Sequence, residues 1–61
     1  MTQKELLYIE DAIEHEGTII SVCEDMIDNL EDENLVSFME EQLDNHTSIK
    51  NNLITILEDK S

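Results

Sequence analysis

Two apolar seams run through this chain at helical spacing, and their order reverses about one point. The first follows Leu6, Ile9, Ile13, Glu16, Ile20, Cys23, Ile27 and Leu30. The second follows Leu35, Met39, Gln42, His46, Ile49, Leu53 and Ile56. A reversal near Glu31 to Glu33 sets them face to face in layers: Ile27 with Leu35, Cys23 with Met39, Ile20 with Gln42, Glu16 with His46, Ile13 with Ile49, Ile9 with Leu53 and Leu6 with Ile56. That mirror relation predicts an all-α, two-helix antiparallel hairpin. The polar members of the seams, Glu16, Gln42 and His46, then fall together at mid-length.

The ends of the helices are marked locally. Thr2 followed by Glu5 reads as a capping box, with the Thr hydroxyl accepting from the Glu5 amide and the Glu carboxylate reaching back. Helix 1 is therefore expected over about 3–30, unbroken because the chain has no proline. Asp32 is the best N-cap for a second helix, and Glu33 places negative charge in its first turn, where the helix dipole favours it. The turn is expected at about 31–32 and helix 2 over about 33–58, with Asp59, Lys60 and Ser61 frayed. Residues 1–61 form a single hairpin domain. Gly17, the only glycine, costs about 1 kcal/mol in a helix interior relative to alanine; it suggests close approach of a neighbour or simple tolerance.

A chain of 61 residues buries only about 60% of the surface that its unfolded form exposes, which leaves a lone hairpin marginal. Disulfides, a metal or oligomerisation usually compensate. The single cysteine, Cys23, forms no internal disulfide and, lying in the seam, reads as a small buried hydrophobe of a reducing compartment. Each helix also carries a second stripe: Tyr8, Ala12, His15, Ile19, Val22 and Met26 on the first; Val36, Leu43, Ile54 and Leu57, interrupted by Thr47 and Lys50, on the second. One partner helix cannot cover a face that wide. A homodimer forming a four-helix bundle would.

With 16 acidic and 3 basic residues the net charge is −13. A surface of that sign repels phosphate backbones, and Lys4, Lys50 and Lys60 make no patch, so nucleic acid is not an expected partner. A dimer would carry 2 × −13 = −26, a repulsion that cations or a basic protein partner would relieve. No apolar run of about 18 residues is present, and the amino terminus lacks a basic segment followed by an apolar core, so a cytoplasmic protein off the membrane is expected.

The polar layer has two readings. Glu16 and His46 can form an ion pair, with Gln42 one turn away bonding to either, and so fix helix register. Alternatively, two copies would supply two carboxylates and two imidazoles to zinc, manganese or iron in a bundle interior, with Glu14, His15 or Gln42 as supplementary groups. No catalytic constellation is evident. Cys23 and His46 stand about 10 Å apart along the axis at 1.5 Å per residue, Ser21 and Ser37 have no histidine nearby, and Glu40, Glu41 and Asp44 read as solvated surface. The expected function is a non-enzymatic structural or protein-interaction module.

Two families of spore-forming bacteria share features with the chain. Lys4-Glu5-Leu6-Leu7-Tyr8-Ile9-Glu10-Asp11-Ala12 with His15-Glu16, followed by Asp32-Glu33-Asn34-Leu35 leading to His46 and Leu53, resembles the small ferritin-like, spore coat protein F-like helical hairpins over nearly its whole length. Glu16 and His46 match the first glutamate and the histidine of ferritin-like iron sites. The position three before His46 is Leu43, so the bridging carboxylate has no counterpart. The resemblance implies a hairpin or bundle architecture with a sporulation or coat-associated role. Glu40-Glu41-Gln42-Leu43-Asp44 is similar, at Leu43 and Asp44, to the Ser-Gln-Glu-Leu-Asp segment of the short sporulation aspartyl-phosphatases. That likeness implies a role for Asp44 against a phosphorylated response regulator.

Overall fold

The computed structural model describes residues 1–60. Two α-helices make up the fold, α1 (Gln3–Asn29) and α2 (Glu33–Lys60), packed against each other along their length. The Cα trace measures 45 × 14 × 11 Å. Since 28 helical residues span about 42 Å at 1.5 Å each, both helices run the full rod and the three-residue connection folds them antiparallel.

The capping box forms as the sequence predicts. The Glu5 amide donates to Thr2 Oγ1 at 3.0 Å and the Thr2 amide donates to Glu5 Oε1 at 2.8 Å. Two of the amides left orphaned at a helix start are thereby satisfied. At the other end Leu30 leaves the helix in extended conformation (φ −83°, ψ 141°) while its amide still donates to the Met26 carbonyl at 2.8 Å. Asp32 caps α2, its Oδ1 accepting from the Asn34 and Leu35 amides at 2.9 and 3.0 Å. No described residue needs positive φ to make this turn, which is why a chain with no glycine there can make it. Contrary to expectation, α2 does not fray at Asp59 and Lys60 but includes both; Ser61 lies outside the described residues.

Helix 1 turns its expected seam inward. Leu6, Ile9, Ile13, Glu16, Ile20, Ile27 and Leu30 are half-buried, and Cys23, 2% exposed, is the single buried hydrophobe among the described residues. Helix 2 is rotated relative to expectation. Met39, Gln42, His46 and Leu53 face inward, but Leu35, Ile49 and Ile56 are exposed, and Val36, Leu43, Lys50, Ile54 and Leu57 take the inner side. The layers expected to pair Leu35 with Ile27, Ile49 with Ile13 and Ile56 with Leu6 are therefore corrected. The inner line runs Val36, Met39, Leu43, His46, Lys50, Leu53 and Leu57, alternating steps of three and four like that of α1.

Lys50 is half-buried on this inner line. A Cβ at position 17 would stand 3.6 Å from Lys50 Nζ, the flexible end of a side chain in ordinary van der Waals range, so the packing does not require a glycine there.

Candidate functional site

At mid-length the fold brings Glu16 and His46 together. His46 Nδ1 donates to Glu16 Oε2 at 2.5 Å, with the side chains 25% and 15% exposed respectively. The pair ties one layer of α1 to one layer of α2. A slip of α2 by one residue along α1 would carry His46 off Glu16 and leave a partly buried carboxylate without its donor. Gln42 is half-buried one turn away but hydrogen-bonds to neither, so the expected three-member network is a pair.

The remaining candidates do not join it. His15 follows Glu14 on the outer surface and is exposed, as are Glu14 and Asp44. Among the described residues no group of three or more His, Cys, Asp and Glu side chains is placed to hold a metal ion. One carboxylate and one imidazole bonded to each other fall short of the three protein ligands of a catalytic zinc site or the carboxylate set of a di-iron site. The donor set of the single hairpin does not fit such a group.

The larger feature is a division of the rod into two unlike broad faces. Every residue immediately before a seam position is turned about 100° to one side of its helix, and every residue immediately after is turned the other way. Because the helices are antiparallel and face each other, the same rotation on both puts the preceding residues on one broad face. From Tyr8 to Ile56 no position preceding a seam residue is acidic. On α1 they include Tyr8, Ile19, Val22 and Met26, exposed by 61%, 38%, 50% and 38%; on α2 they include Leu35, Phe38, Ile49 and Ile56, exposed by 50%, 55%, 42% and 45%. The following positions hold Glu10, Glu14, Glu24 and Asp28 on α1 and Glu40, Asp44 and Glu58 on α2. An apolar face without carboxylates backs onto an acidic one.

The apolar face is bounded by polar groups at the open end of the hairpin. Lys4 Nζ lies 5.8 Å from the centre of the Tyr8 ring, within cation–π range. A shallow open cleft of about 300 Å³ beside it is lined by Met1, Glu5, Ile9, Ile56 and Lys60. Sequence reasoning assigned Leu35, Ile49 and Ile56 to the seam and so missed their part in this face. The signal that finds them is that each directly precedes a residue of the three-and-four line.

The fold and site define an acidic all-α helical hairpin with one polar layer in its seam and one open apolar face. Comparison with protein-family models, curated proteins and solved structures finds no match to the chain. No described helix is long and apolar enough to cross a membrane.

Proposed function

We propose that this chain is a non-enzymatic protein-interaction module whose acid-free apolar face is its docking surface. The observation that carries this reading is the segregation of charge. Sixteen acidic residues are distributed over a 61-residue chain, yet none lies along the face formed by Tyr8, Ile19, Met26, Phe38, Ile49 and Ile56. Charge depletion around exposed aromatic and aliphatic side chains is the compositional mark of an interface core. A second quantity agrees. The surface area is 4697 Å² for 7.1 kDa, against about 4,100 Å² for a compact monomer of that mass.

The Glu16–His46 pair serves this function by holding register, so that the stripes of α1 and α2 stay level on one face. The likeness to spore coat hairpins supplies a structural, coat-associated setting consistent with a docking role and adds no site residue of its own.

The test is the response of a neutral apolar dye to the highly diluted chain, read beside circular dichroism. Enhanced dye fluorescence is expected, and it is abolished in the Phe38→Glu, Ile49→Glu double variant with helicity unchanged, since neither side chain belongs to the seam. A monomeric chain that leaves the dye dark would contradict the reading.

A further inference from the structure

We infer that the occupant of the open face is a second copy of this chain, laid on it about a two-fold axis perpendicular to the helices, so that the turn of each copy lies beside the open end of the other. This rests on the reading of that face as a docking surface and adds its partner and orientation.

The distribution of charge favours a second copy over a basic partner. A protein recognised by its positive charge would be met by carboxylates in the contact, yet from Tyr8 to Ile56 this face carries none, and Glu10, Glu14, Glu24, Asp28, Glu40, Asp44 and Glu58 lie on the opposite face. Two chains of −13 each can approach only through surface that carries none of that charge. The face is also of suitable size. It measures 45 by 14 Å on Cα atoms alone, to which side chains add, while a standard interface takes about 800 Å² per partner.

Two face-to-face arrangements keep all adjacent helices antiparallel. In one, both turns lie at the same end; in the other, they lie at opposite ends. The ends differ in charge. Asp28, Glu31, Asp32 and Glu33 crowd the turn without a basic residue among them, whereas Lys4 and Lys60, two of the three basic residues, stand at the open end and offset part of the charge of Glu5, Glu58 and Asp59. Turns at the same end would set one run of carboxylates against its copy. Turns at opposite ends set each run against Lys4 and Lys60 of the second copy. Coulomb energy therefore selects the opposite-ends arrangement.

The same axis crosses the rod near its middle. Glu16 and His46 mark that level, and the open-face residues preceding them are His15 and Asn45, which are polar. Apolar side chains lie to both sides: Ile19, Val22, Met26 and Phe38 toward the turn, Tyr8, Ile49 and Ile56 toward the open end. Turning the face end over end lays one apolar half on the other and brings the polar middle onto itself, as a self-complementary two-fold contact requires.

Zero-length carbodiimide cross-linking of the unmodified chain, read by peptide mass spectrometry, tests this. Within one copy Lys4 and Lys60 are separated from the turn by nearly the whole 45 Å rod, so an amide between either lysine and Glu31, Asp32 or Glu33 can form only between copies. Such links are expected, together with a sedimentation mass of two chains and no dye response at that concentration. A two-chain mass with lysine links confined to the open end would overturn the orientation and leave the docking surface standing. A single-chain mass with a bright dye would overturn the second copy but keep the surface as a site for another protein. A single-chain mass with a dark dye would overturn both.

Discussion

Glu16 and His46 are 30 positions apart in sequence and 2.5 Å apart in space. Their contact ties one layer of α1 to one layer of α2 in a seam otherwise lined mainly by apolar side chains. The pair makes no metal centre with its surroundings in the single hairpin. Its consequence is geometric: it keeps Ile19 and Val22 level with Gln42 and Phe38, so that two stripes merge into one surface.

Removing one partner should cost more than removing both. His46→Ala leaves the Glu16 carboxylate partly buried without its donor and is expected to lower stability by about 1–2 kcal/mol, less than a fully buried pair because water still reaches both groups. Replacing both by leucine is expected to restore or exceed the parent stability while broadening the nuclear magnetic resonance lines of the seam as register loosens. Urea denaturation of the three proteins measures the first effect. A double variant as weak as His46→Ala would show that the pair supplies stability and not register.

Gly17→Ala is expected to raise stability by about 1 kcal/mol, the helix-propensity difference. The added methyl group meets only the far end of the Lys50 side chain, at 3.6 Å, an ordinary contact. Thermal denaturation checks this. A fall would mean that the Lys50 ammonium cannot shift to admit the methyl group.

The N-terminal capping box carries a pH dependence. Its hydrogen bonds with the Thr2 backbone and hydroxyl hold the Glu5 carboxyl below the ordinary glutamate value. A carboxyl whose value is lower folded than unfolded binds fewer protons in the native state, so its contribution is present above the ordinary value and lost as pH falls through the lowered one. Protection of the amides at the start of α1, taken relative to their intrinsic exchange at each pH, should fall over that acid range, and Glu5→Gln should remove this pH dependence. Unchanged acid sensitivity in the variant would assign it elsewhere.

Salt is expected to strengthen self-association. A dimer carries 2 × −13 = −26, and screening relieves that repulsion, the Debye length shrinking from about 30 Å at 0.01 M to about 8 Å at 0.15 M. The melting temperature at fixed protein concentration should rise over that range. A fall would mean that the contacts of Lys4 and Lys60 with the acidic turns outweigh the net repulsion.

Much of this molecule is legible in its sequence, and the exception is instructive. The Thr2–Glu5 box, the Asp32 cap and the α1 seam are local signals, each decided within a turn or two of chain, and they form as read. The meeting of Glu16 and His46 follows from the mirror order of the seams. The rotation of α2 does not. Its Leu35, Ile49 and Ile56 line is about as apolar as the Val36, Leu43, Ile54 and Leu57 line, so periodicity alone does not choose between them. The choice is made only by the packing in three dimensions, which puts even the charged Lys50 on the inner line, its ammonium beside Gly17. Once α2 is rotated, Ile49 and Ile56 join Phe38 outside, and the open face appears.

Whether the open face is closed by a second copy is decided by sedimentation equilibrium across micromolar concentrations. A mass of twice 7.1 kDa is expected for the parent chain and of one chain for Phe38→Glu, with helicity retained in both. A parent chain that remains a stable, fully helical monomer at every concentration would contradict the two-copy assembly.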